Sequence, residues 1–79
     1  MNIKLPEGWT AEELENWNCI LIRSPERYMV TLDLKRRGFR SGLVTQGRLT
    51  SEGQTFRGRG WKQKLADAAV QWLIKEVIS

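Results

Sequence analysis

Residues 61–78 constrain this chain more than any other stretch. On a helical wheel, Trp61, Leu65, Ala66, Ala68, Ala69, Val70, Trp72, Leu73 and Val77 cover one broad side, while Gln63, Lys64, Asp67, Gln71 and Lys75 fall on the opposite arc. An apolar arc of roughly half the circumference marks a helix that must lie across another layer. Ala68 and Ala69 permit close approach, and Trp61 and Trp72 fill volume at its margins. The chain has 79 residues, 41% of them hydrophobic. That supports a single domain over 1–79, for which one helix packed on one face of a sheet is the economical core.

The strands of that sheet are readable upstream. Cys19-Ile20-Leu21-Ile22-Arg23 is a short apolar run bounded by polar residues. Ser24-Pro25-Glu26-Arg27 reads as a turn with proline at its second position. From Tyr28 the pattern alternates: Tyr28, Val30, Leu32 and Leu34 share one face, and Met29, Thr31, Asp33 and Lys35 the other, as in a half-buried strand. Arg36-Arg37-Gly38 closes a hairpin, with Gly38 expected at a positive φ. Phe39, Ser41, Leu43 and Thr45 then alternate with Arg40, Gly42 and Val44, giving a third strand. Residues 46–53 read as a loop, and 54–57 as a short fourth strand.

Upstream of these, Pro6 biases Leu5 away from helix. Thr10-Ala11-Glu12-Glu13 fits a capping box, with Leu14 and Trp17 on one face and three glutamates favoured by the macrodipole. The expectation is a short helix over about 10–17, whose Thr10 cap would be worth about 1 kcal/mol. Trp9 is then a hydrophobic staple, and Trp17, Trp61 and Trp72 belong to apolar faces that supply the core. The expected fold class is α+β: a short N-terminal helix, a three- to four-stranded antiparallel sheet, and a long C-terminal helix packed on one face.

Composition excludes several chemistries. There is no histidine and one cysteine, so no zinc finger, histidine-based triad or intramolecular disulfide is expected. Cys19, opening an apolar strand, reads as a small core residue. Glu12, Glu13 and Glu15 lack surroundings that would shift a carboxylate pKa towards acid–base work. No enzyme activity, catalytic residue, metal or cofactor is expected. The longest apolar run is four residues, 19–22, too short for a membrane span. The first residues hold no apolar h-region, so the cytoplasm is the expected location.

The charge is strongly segregated. The chain carries a formal net charge of +4, but residues 1–18 set Lys4 against Glu7, Glu12, Glu13 and Glu15. Residues 35–64 set nine cations, Lys35, Arg36, Arg37, Arg40, Arg48, Arg57, Arg59, Lys62 and Lys64, against Glu52 alone, a net +8. Six of the nine are arginine, whose planar fork suits phosphate and carboxylate. Such a segment raises the local concentration of polyanions; it also serves as a solvated face.

Two clusters stand out within it. Arg57-Gly58-Arg59-Gly60-Trp61-Lys62-Gln63-Lys64 places two arginines and two glycines just before a helix. The free N–H groups of a helix N-terminus together with these cations suit a phosphate. The GxxxxGK[ST] spacing of a nucleotide-hydrolysing loop is absent. The same glycines also fit a turn that needs them for its dihedral angles. Lys35-Arg36-Arg37-Gly38-Phe39-Arg40 forms a basic hairpin tip, able to track phosphates or to discourage edge pairing. Phe39 and Phe56, flanked by arginine, are open to base stacking or to the core. The two clusters merge only if Lys35 and Arg57 lie at the same end of the sheet.

The order helix–β–β–β–helix, with Gly58, Gly60, Lys62 and Lys64 ahead of Ala68, Ala69 and Leu73, resembles the double-stranded-RNA-binding domain. That family sets its lysines side by side, whereas Gln63 separates Lys62 from Lys64 here. The resemblance implies an α-β-β-β-α topology and contact with an RNA backbone. In size and style the chain is also similar to small phage and prophage proteins, many of which bind nucleic acid or inhibit host defence.

These readings converge on a non-enzymatic binding domain contacting nucleic-acid phosphates, DNA or RNA, through Lys35, Arg36, Arg37, Arg40, Arg57, Arg59, Lys62 and Lys64. The alternative is a protein-binding inhibitor or adaptor, for instance a phage-encoded blocker of a host nucleic-acid-handling defence complex. It would turn the same cations towards an acidic protein surface.

Overall fold

The computed structural model describes residues 3–41 and 56–78. Among them, strands β1 (Thr10–Leu14), β2 (Cys19–Arg23), β3 (Met29–Asp33) and β4 (Gly38–Ser41) pair antiparallel in sequence order into one sheet. Helix α1 (Trp61–Leu73) follows and continues as a π-helical stretch, Ile74–Ile78. The architecture is α+β. Residues 42–55, which carry the rest of the expected third strand, the expected loop and the start of the expected fourth strand, lie outside the described residues. Phe56 and Arg57, the end of that expected fourth strand, are not in a strand.

The register explains which face is buried. Ile20 stands opposite Leu32 and Leu32 opposite Phe39, while Ile22 stands opposite Val30. Directly opposed residues share a face, so these five side chains form one apolar surface. Onto it α1, lying over β3 and β4, lays Leu65, Ala66, Ala69, Val70 and Leu73, and Phe56 completes the cluster. Tyr28, Leu34, Trp61, Trp72 and Val77 pack at its margins, as the alternation and the helical wheel require. Phe39 and Phe56 are both buried, so the core takes them. Cys19 is half-buried but faces away from α1, since Ile20 faces towards it.

The expected first helix is a strand. Residues of β1 pair with β2 throughout, from Thr10 opposite Arg23 to Leu14 opposite Cys19. Without β1, the apolar β2 would be a bare edge. A five-residue ladder that covers it outweighs a capping preference worth about 1 kcal/mol. Glu12 and Glu13 then mark the sheet edge as charged and resistant to further pairing. The helical signal survives only as one 3-10 turn, Glu15–Trp17, after which Asn18 adopts a left-handed conformation (φ 51°) and donates its N–H to the Glu15 carbonyl at 3.3 Å. Trp17 rides on this turn and is 78% exposed, so its expected place in the core is also overturned. Trp9 has no helix to staple and packs directly against the core, half-buried.

Turn chemistry fixes the other connections. Arg27 N–H donates to the Ser24 carbonyl at 3.0 Å with Pro25 at the second position, as read from sequence. The buried Ser24 hydroxyl accepts from the Tyr28 N–H at 3.1 Å. In the β3–β4 turn, Asp33 Oδ1 accepts from the N–H groups of Lys35 and Arg36 at 3.1 and 3.0 Å. This side-chain closure moves the positive φ one residue earlier than expected: Arg37 carries it (54°), and Gly38 already belongs to β4.

Thr10 therefore separates the two readings of the N-terminal segment. It is exposed at the end of β1 and caps nothing. Thr10→Ala is expected to change stability by less than about 0.5 kcal/mol in urea denaturation. A loss of about 1 kcal/mol or more would reinstate the helix cap.

Candidate nucleic-acid interface

The strand register brings the β1–β2 and β3–β4 turns to the same end of the sheet. Leu14 stands opposite Cys19, Cys19 opposite Asp33, and Asp33 opposite Gly38. A hydrogen bond from the Leu34 N–H to the Asn18 carbonyl, 3.0 Å, ties the two turns together. Lys35, Arg36 and Arg37 are exposed on the β3–β4 turn.

Arg37 reaches from this turn to the segment leading into α1. Its Nη1 donates to the Phe56 carbonyl at 3.0 Å, and its guanidinium carbon lies 4.3 Å from the centroid of the Trp61 ring. Lys62 Nζ lies 5.8 Å from the same centroid. The Trp61 indole thus holds two cations by its negative π-face, and the basic hairpin adjoins the Arg57-Gly58-Arg59-Gly60 loop. Left-handed backbone at a non-glycine residue costs about 1 kcal/mol or more. The Phe56 and Trp61 contacts offset that cost at Arg37.

The loop itself is built on two glycines. Gly58 and Gly60 have φ of 80° and 77°, and a Cβ at either would meet nothing within 4 Å. Their dihedral angles, not crowding, account for glycine there. Arg57, just before Gly58, and Arg59, between the two glycines, are exposed. Gly60 heads α1 without a side-chain cap, and the first turn has no acidic residue. The start of the helix therefore presents its positive dipole end with no carboxylate of its own.

Of the eight sequence-predicted cations, Arg37, Arg57, Arg59 and Lys62 stand on or beside the Phe56–Trp61 junction, with Lys35 and Arg36 on the adjoining turn. The remaining two diverge. Arg40 pairs with Thr31 on the face of the sheet opposite Phe39 and the core. Lys64 is exposed on the outer arc of α1, with its N–H bonded to the Gly60 carbonyl at 3.1 Å.

Gln63 has a role that its polar character alone does not reveal. Its side-chain amide accepts from the Lys4 N–H at 2.6 Å and donates to the Lys4 carbonyl and to Asp67 Oδ1, both at 2.8 Å. This pins the N-terminal lead-in to α1 and frames an open cavity of about 430 Å³ between β1 and the helix start. Its lining is mixed: Ile3, Ile20 and Trp61 beside the polar groups of Glu13, Lys62 and Gln63. Among the described residues, no group of three or more histidines, cysteines or carboxylates could hold a metal ion. Nor is any helix among them long and apolar enough to cross a membrane.

Arg37 is the side chain that joins the two clusters. Arg37→Ala removes one hydrogen bond and one cation–π contact and is expected to cost about 1–2 kcal/mol in urea denaturation. Arg36→Ala, whose side chain makes no such contact among the described residues, should stay within about 0.5 kcal/mol. Equal effects of the two would mean that Arg37 does not hold the junction. The chain matches no family model, no curated protein and no solved structure.

Proposed function

We propose that this protein is a non-enzymatic module that contacts the phosphate backbone of nucleic acids where the β3–β4 turn meets the loop before α1. The observation that carries this reading is the Arg37 contact with Phe56 and Trp61. It sets two basic clusters side by side that are separated along the chain. Lys35, Arg36, Arg57, Arg59 and Lys62 are exposed around it, with the cations free to displace counterions from a polyanion. The start of α1, with no side-chain cap and no acidic residue in its first turn, adds to the same field, which Glu13 across the adjoining cavity reduces. Arg40 and Lys64, on other faces, contribute to long-range attraction rather than to the contact itself.

Recognition of this kind is nearly independent of sequence and steeply dependent on salt. With four to six phosphates neutralised, the log–log slope of affinity against salt on duplex DNA is expected to be roughly −4 to −5. Replacing Arg57 and Arg59 together by Gln should reduce the magnitude of that slope by about 1–2 without disturbing the fold. Fluorescence anisotropy between about 50 and 200 mM salt reads both. If the wild-type protein binds neither DNA nor RNA at the lowest salt, the reading fails, and the arginines are reassigned to an acidic protein surface.

A further inference from the structure

We infer that Trp17 is a stacking platform for an unpaired base, which makes single-stranded nucleic acid the substrate of the basic surface; this deepens, and rests on, the phosphate-contact reading above. Trp17 is 78% exposed, the one large hydrophobic side chain so exposed among the described residues. The other three indoles are engaged. Trp9, Trp61 and Trp72 pack against the core, Trp61 also carries Arg37, and Trp72 lies 6.0 Å from Phe39, ring to ring. An indole left in water on a small domain is an apolar surface without a partner.

Its position supplies the partner's chemistry. The 3-10 turn that carries Trp17 is closed by its own hydrogen bond and fastened to the β3–β4 turn by the Leu34–Asn18 bond. Trp17 and Lys35 flank that bond, one residue away on either side, so the turn that carries the ring and the basic turn lie next to each other at one end of the sheet. Aromatic rings beside a positive track are the arrangement that binds single strands, the bases stacking while the cations follow the phosphates. The acidic residues give this surface a polarity. Glu13 and Glu15 line the hollow beside Trp17 and repel phosphate there. A strand is thereby oriented with its backbone on the side of Lys35, Arg36 and Arg37 and its base on the ring. In a duplex the bases are stacked on one another, and Trp17 has nothing to receive.

The test is anisotropy with labelled strands of about 12 nucleotides, within the usual range of single-strand site sizes. DNA and RNA strands are used, together with the duplex of the same sequence. Trp17→Ala should weaken single-strand binding by about ten- to a hundredfold, the range of one base–aromatic stack, while Trp17→Phe keeps most of the affinity. The duplex affinity and the salt slope should not move, because the ring releases no counterions. Because Trp17 is exposed, the thermal unfolding curve of Trp17→Ala should match that of the wild type. A loss on either single strand supports the inference, and comparison of the two identifies the preferred sugar. Unchanged single-strand affinity, or equal losses on single strand and duplex, overturns the stacking role while leaving the phosphate contact standing. Failure of the wild type to bind any of the three overturns both.

Discussion

The guanidinium of Arg37 is where the local and long-range forces in this protein meet. It starts from a turn shaped by the Asp33 carboxylate and ends against a carbonyl and an indole contributed by the segment before α1. Neither end determines the other through chain connectivity. What brings them together is burial: the apolar arc of α1 has to cover the row formed by Ile20, Leu32 and Phe39, and in doing so it sets Trp61 beside the β3–β4 turn. Apolar packing thus positions the helix, and the cation–π contact aligns the basic loop before it with the basic hairpin. The left-handed backbone at Arg37 (φ 54°) fits that account, since arginine there gives up backbone freedom in return for two specific partners.

Much of the fold was legible in the sequence, and the exceptions have identifiable causes. The alternation from Tyr28 and the wheel of residues 61–78 located β3 and α1 and picked out their buried faces correctly, because burial imposes its period directly on the residues. The Ser24-Pro25 turn was legible for a similar reason, as proline fixes its own geometry. The segment 10–17 misled because Thr10 and Glu13 satisfy a local helix-start pattern, whereas the deciding interaction is the pairing with β2, which no local pattern encodes. The expectation of a core position for Trp17 follows from that helix and fails with it. Arg37, not Gly38, takes the positive φ, because the Asp33 side chain rather than the glycine closes the turn. For the site, charge composition marked both basic clusters. Their meeting was not legible, since it depends on a contact between Arg37 and residues near 56–61.

The distribution of charge around that junction gives the surface a direction. Cations cluster on the β3–β4 turn and on the loop before α1, while Glu12, Glu13 and Glu15 occupy β1 and the turn beside it. These carboxylates protect an edge strand and border the basic area. In the proposed mode, a polyanion approaching this end of the sheet meets cations on the β3–β4 turn and carboxylates on β1 and the turn after it, where Trp17 is exposed. In the proposed binding mode, electrostatics of this kind would guide approach and orientation, and stacking on Trp17 would add affinity that salt does not screen.

The proposed function depends above all on the hairpin and the loop before α1 acting as one binding surface. A titration of the isotope-labelled protein with a short single strand, followed by amide and indole NMR shifts, addresses that claim most directly. The amides of residues 35–37 and 57–62 and the indole N–H of Trp17 should shift together along one saturation curve. The turn at residues 24–28, at the far end of the sheet, should stay still. Shifts confined to one of the two basic segments, or largest at residues 24–28, would contradict it.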